Sequence, residues 1–141
     1  MIRREILIVV LFQLLFVIQV TYQVFNIDDF GAISNDLSYD AAIANGKAFY
    51  SALIAANSSS TGRIVLLEGG KVYGMLPANG DVTRLVNLTI QLDAKINAWD
   101  EDHTKYPRDK DGNVFNFISL SNSENLTIKG NGVKQGNFTW P

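Results

Sequence analysis

Along the chain, hydrophobic and polar positions fall into three textures. In the first, Ile6 to Val20 is apolar apart from Gln13 and Gln19, and Arg3 and Arg4 precede it. Basic residues ahead of an apolar core follow the order of a secretory signal. At ~1.5 Å per residue the run reaches about 22 Å, short of the roughly 30 Å of hydrocarbon that a spanning helix must cross. The pattern therefore predicts a signal peptide over 1–23 rather than a signal anchor, with no stable membrane insertion after cleavage. A buried core helix fits least well, because the run is apolar on every side. No small-x-small pair stands near Val20 to Gln23, so the cleavage position stays open.

The second texture has helical spacing. A short strand-like piece, Val24 to Ile27, leads into a turn-rich stretch from Asp28 to Asp36, and Ser38 or Asp40 can cap a helix running to about Ala56. Either Ala42, Gly46, Phe49 and Leu53, or Ile43, Gly46, Tyr50, Leu53 and Ile54, would share its apolar face. Gly46 costs roughly 1 kcal/mol against Ala inside a helix, which predicts close packing at that point. Asn57 to Gly62 then ends the helix in a polar loop.

From Arg63 onward the period shortens to that of strands. Candidates are Arg63 to Leu67, Lys71 to Tyr73, Arg84 to Val86, Leu88 to Leu92, Val114 to Leu120 and Leu126 to Lys129, separated by Gly and Asn. Leu88 to Leu92 and Leu126 to Lys129 alternate large apolar with polar residues, one face in and one out. Both follow asparagine: Asn87-Leu-Thr-Ile90 recurs as Asn125-Leu-Thr-Ile128, a spacing that stacked coils of a solenoid would allow. Between the copies, Ala98 to Asn113 is the most polar stretch and has no period. It reads as a solvated loop or as a ligand-facing one, the latter because Trp99 and Tyr106 could stack on sugar rings.

Composition narrows the function. The formal net charge is −2, and removing the signal makes the remainder slightly more acidic, which argues against nucleic acid as a partner. With no cysteine and one histidine, His103, there is no disulfide framework, no thiolate zinc site, no cysteine nucleophile and no multi-histidine metal centre. No cofactor is implied. Asn57, Asn87, Asn125 and Asn137 each begin an Asn-x-Ser/Thr sequon, a candidate glycosylation site in a secreted eukaryotic chain and a chance tripeptide in a bacterial one.

The order of these features resembles the N-terminal part of the polygalacturonases, glycoside hydrolase family 28. Asp29-Phe-Gly-Ala32 is similar to the family's opening D-[FY]-G-A motif, and Asn35-Asp36 with Tyr39-Asp-Ala-Ala-Ile43 is similar to its D-G-x-x-D-D-T-x-A-I stretch. Gly62 to Leu66 and then Glu68 to Tyr73 resemble a strand before a P-x-G-x-Y turn. Leu85 to Ile96 is similar to L-x-S-x-x-T-L-x-L-x-x-x-A-x-I, Trp99 to Pro107 resembles a loop ending in W-P or Y-P, and Asn125 to Val133 resembles N-[VL]-x-I-x-G-x-G-x-I. The resemblance implies a right-handed parallel β-helix with one N-terminal capping helix, here about three coils if each takes ~20–30 residues. It also implies a secreted protein whose family hydrolyses α-1,4-galacturonosyl bonds in pectin.

The departures shape what this chain can do. Lys134 stands where the family carries Asp, Trp140 is followed by Pro141 rather than a second Trp, and the N-T-D, D-D, G-H-G and R-I-K motifs have no counterpart. Inverting hydrolysis needs an acid and a base about 6.5–9.5 Å apart. Asp28 and Asp29, read as consecutive residues of an extended stretch, would point to opposite faces. Asp109-Lys-Asp-Gly-Asn113 begins like a calcium loop, yet Gly112 comes at the fourth position and Leu120 replaces the bidentate Glu, so a turn is expected.

The expectation is thus an N-terminal fragment of a secreted polygalacturonase-like hydrolase with no catalytic set and no metal. A non-catalytic saccharide-binding module is the alternative, and a pectin lyase fragment a further one. Trp99, Lys105, Tyr106 and Arg108 are the candidate substrate contacts.

Overall fold

A computed structural model describes residues 22–61, 63–77 and 82–131. The proposed signal, residues 1–21 of it, and the sequon at Asn137 lie outside the described residues. Strand β1 (Gln23–Asn26) runs into a 3₁₀ turn at Ile27–Phe30 and then the helix α1 (Tyr39–Ser58). Seven strands follow among the described residues: β2 (Arg63–Leu67), β3 (Val72–Met75), β4 (Val82–Thr83), β5 (Val86–Leu92), β6 (Lys95–Ala98), β7 (Leu120–Ser121) and β8 (Glu124–Lys129), with a second 3₁₀ turn at His103–Lys105.

Helix α1 starts where its cap dictates. The Ser38 hydroxyl accepts the Ala41 N–H at 3.3 Å, and the helix runs two residues past Ala56. Ala42, Gly46, Phe49 and Leu53 are buried, whereas Ile54 is 58% exposed, which settles the choice of face. Phe49, Tyr50 and Leu53 pack with Ile27, with Val65 and Leu67 of β2, Tyr73 and Met75 of β3, and Leu88 and Ile90 of β5.

Among the described residues, all strand pairs are parallel. The main sheet has the order β1-β2-β5-β8, while β3-β6 and β4-β7 form separate two-stranded sheets. The two Asn-Leu-Thr-Ile copies lie side by side, Leu88 opposite Leu126 and Ile90 opposite Ile128. Side chains hold that register: Asn125 Nδ2 donates to Asn87 Oδ1 at 2.8 Å, Leu85 N to Ser123 Oγ at 3.3 Å and Asn131 N to Asp93 Oδ1 at 3.0 Å, each across 38 residues. Backbone corners repeat with it, since Arg84 and Asn122 (φ 62° and 52°) and Asn87 and Asn125 (φ 51° and 50°) are all left-handed. Asparagine tolerates that region, and Arg84 occupies it at a cost of roughly 1–2 kcal/mol. Gly130 answers to a close approach: a β-carbon there would overlap the carbonyl oxygen of Leu92.

This architecture corrects the expected fold. The described residues do not form the three-coil β-helix that the resemblance implied; they form one helix with one four-stranded and two two-stranded parallel sheets. The reason lies between β6 and β7. Residues 99–119 supply no alternating apolar face, and their sole extended pairing is an isolated antiparallel bridge between Arg108 and Val114, so the β3-β6 sheet gains no third strand among the described residues. The strand expected over Val114 to Leu120 shrinks to Leu120–Ser121. Strand β6 was not expected, because Lys-Ile-Asn-Ala offers only one large apolar side chain. Burial also falls across the main sheet: Ile90 is 2% exposed and Ile128, its partner one strand farther out, is 58% exposed.

Candidate functional site

The polar loop after β6 is fastened at its first residue. Trp99 N donates to Met75 O at 3.0 Å, and the indole is only 4% exposed, packed with Ala42 and Leu76 and ringed by Tyr39, Ile43 and Tyr106. Its Nε1 is buried without a hydrogen-bond partner among the described residues. Trp99 therefore anchors the loop instead of offering a face to a sugar.

Asp102 organises the next turn. Its carboxylate accepts from Thr104 Oγ1 at 2.6 Å and Thr104 N at 2.9 Å, bonds that hold it below the usual carboxylate range. The resulting 3₁₀ turn carries Lys105 back over the first turn of α1. Lys105 Nζ lies 5.3 Å from the Tyr39 ring centroid and 5.9 Å from that of Trp99, and those two rings are 5.1 Å apart. Such cation–π contacts contribute about 0.5–1 kcal/mol at exposed sites. Tyr39 Oη donates to Lys105 O at 3.5 Å, and Tyr106 Oη donates to Trp99 O. Burial, with the Asp100 carboxylate adding to it, pushes the Tyr106 phenol up.

Arg108 stands apart from this corner. It is exposed and donates to Gly112 O at 2.8 Å, closing a turn around Asp109. Asp109 Oδ1 accepts from Asp111 N at 2.9 Å and Asn113 N at 2.8 Å, and Oδ2 accepts from Asn113 Nδ2 at 3.1 Å. The Asn113 bonds hold that carboxyl below its ordinary range. The calcium-like run is spent on its own turn, and no group of three or more His, Asp or Glu among the described residues could hold a metal.

Lys105, Tyr106 and Trp99 thus share one corner with Tyr39, which no local pattern could have assigned to it. Tyr39 lies 66 residues before Lys105.

A second polar cluster lies at the 3₁₀ turn after β1. Asp28 and Asp29 are not in an extended stretch as expected; Asn26 Oδ1 accepts the Asp28 N–H at 3.1 Å and starts the turn. Asp28 faces inward. Its Oδ2 and Glu68 Oε2 each lie 2.5 Å from Lys71 Nζ, and Oδ1 accepts from Tyr73 Oη at 2.8 Å. The two carboxylates that converge here do so on the Lys71 ammonium group, which stands between them.

Burial, with the Asp28 hydrogen bond, raises the Tyr73 phenol above its ordinary 10.0, and bonds to Asp28 and Glu68 raise Lys71 above its ordinary 10.5. Both folded-state values exceed the unfolded ones, so the stabilisation is complete below about pH 10 and is lost as the pH climbs beyond it. Tyr73→Phe is expected to cost about 0.5–1.5 kcal/mol at pH 7 and to shallow the alkaline loss. Urea melts at pH 7, 9 and 10.5 check this, and an unchanged alkaline slope would count against it.

No family model, curated protein or solved structure matches the chain.

Proposed function

We propose that this chain is the non-catalytic leading part of a secreted, polygalacturonase-like protein directed at pectin, and that it contributes saccharide contact rather than hydrolysis. One observation carries the non-catalytic half: the carboxylates that the fold gathers are committed, Asp28 and Glu68 to Lys71 and Asp102 and Asp109 to their own turns. The ordered motif series from Asp29-Phe-Gly-Ala32 to Asn125-Leu-Thr-Ile supports the family reading. The contact itself falls to Lys105 and Arg108, both exposed on a loop that Trp99 pins. Asp100, Glu101 and Asp111 are exposed on the same loop, so attraction to an anionic galacturonan is local and screened within about 8 Å at physiological salt.

Purified protein is expected to release no reducing ends from polygalacturonate above a heat-inactivated control, and to be retained on immobilised polygalacturonate at low salt. Lys105→Ala and Arg108→Ala should each elute earlier. Turnover would overturn the non-catalytic reading. Absent or salt-indifferent retention would overturn the binding one.

A further inference from the structure

The sequons divide by what their amide nitrogens do. Asn57, in the last turn of α1, is half-buried and bridges to the corner before β5: its Nδ2 donates to Arg84 O at 3.2 Å and its Oδ1 accepts from Val86 N at 3.1 Å. Replacing an Nδ2 hydrogen with a sugar would force bulk to within hydrogen-bond distance of the Arg84 carbonyl, where helix and sheet meet. Asn125 is exposed, but its Nδ2, the donor of the ladder, lies 2.8 Å from Asn87 Oδ1, so a sugar on that nitrogen would crowd the neighbouring side chain. At Asn87 the roles are reversed. It is exposed, it takes part in the ladder through Oδ1, and its Nδ2 has no partner among the described residues. An N-linked glycan keeps the amide oxygen as an acceptor, so the Asn125 bond survives glycosylation of Asn87.

We infer that, of the three sequons among the described residues, Asn87 is the one at which the folded, secreted chain carries a glycan, and that Asn57 is kept bare by its structural role. The inference rests on the secretory reading above. The Asn87 Nδ2 would attack the anomeric carbon of a lipid-linked diphospho-oligosaccharide; a C–N bond forms, the sugar–phosphate C–O bond breaks, and the lipid diphosphate leaves while the amide gives up one proton. Because transfer precedes folding, selection acts afterwards: chains modified at Asn57 carry a sugar against the Arg84 carbonyl, where helix and sheet pack, and fold poorly.

The full chain is expressed in a eukaryotic secretory host twice, once with its own N-terminus and once with a known secretory leader fused ahead of it. Secreted protein is treated with peptide-N-glycosidase in ¹⁸O water and its peptides are weighed. The expected result is ¹⁸O-Asp at position 87 in most molecules and little at 57. Thr89→Val, which breaks the sequon while keeping Asn87 and its ladder, should remove one glycan. Asn57 occupied at least as fully as Asn87, or Asn87 bare in protein secreted from the leader fusion, would overturn the inference. Secretion of the fusion alone would overturn the secretory reading and leave the choice among asparagines decided by the fusion.

Discussion

Asn45→Ala is expected to lower the stability of the chain by about 3–5 kcal/mol, since it strands three main-chain groups at roughly 1–3 kcal/mol each, with partial relaxation. Asn45 is fully buried in the middle of α1. Its Oδ1 accepts from Ile33 N at 2.6 Å, and its Nδ2 donates to Ile33 O at 3.0 Å and to Gly74 O at 2.8 Å. One side chain thus ties the helix to the loop after the first 3₁₀ turn and to β3. Asn45→Asp should be worse still, because it keeps the acceptor, removes both donors and brings a charge into the interior. Ile54→Ala, on the exposed side of the same helix, should stay within about 0.5 kcal/mol. Urea titration followed by circular dichroism reads all three. A loss below about 1 kcal/mol for Asn45→Ala would mean that the loop and β3 find other partners.

The second large effect is expected at Trp99. Trp99→Ala removes a buried indole from between α1 and the polar loop and should cost about 3–5 kcal/mol. The loop should also loosen, since Tyr39, Lys105 and Tyr106 all close on that ring or its carbonyl. Trypsin should therefore cut after Lys105 and Arg108 sooner than in the parent chain. Trp99→Phe separates two terms. It loses ring area but also deletes an Nε1 that is buried without a partner, a group whose burial costs about 1–3 kcal/mol. Its net cost should therefore fall well below that of the alanine variant. Equal costs for Phe and Ala would show that a partner outside the described residues relieves the Nε1 penalty. If Trp99 acts on galacturonan only through the loop, Trp99→Phe should retain binding that Trp99→Ala loses.

Much of the local structure was legible along the chain because it depends on neighbours. Ser38 as a cap, the 3.6-residue spacing of Ala42, Phe49 and Leu53, and the alternation at Leu88-Thr-Ile-Gln-Leu92 are short-range signals, and α1, β2 and β5 appear where they predict. The Asn-Leu-Thr-Ile echo was legible as well, and the two copies pair in register. The interior of the site was not. Trp99 in a run of Asp, Glu and Lys looked like a surface aromatic, yet Ala42 and Leu76, remote in sequence, bury it. Asn45 was not singled out by the helical spacing, and its partners at Ile33 and Gly74 lie 12 and 29 residues away. Nothing in a local pattern distinguishes a solvated asparagine from one that replaces main-chain partners in a core.

The sequence by itself determined the helix, most strand positions, the lack of any thiol or imidazole cluster, and the self-contained Asp109 turn, while the choice between two caps and two faces of the helix waited for the structure. Each follows from periodicity, composition or side-chain-to-backbone bonding within a few residues. Tertiary structure alone decided that the strands sort into a four-stranded and two two-stranded parallel sheets. It also decided that Trp99 is an anchor, that Asp28 meets Lys71 and Tyr73, and that the Asn87 amide nitrogen has no partner among the described residues while that of Asn57 has one. The physical reason is common to these cases. Parallel strands pair across long crossovers, so which residues become neighbours depends on how each intervening segment folds, and a segment such as 99–119, without alternation, does not announce where it returns.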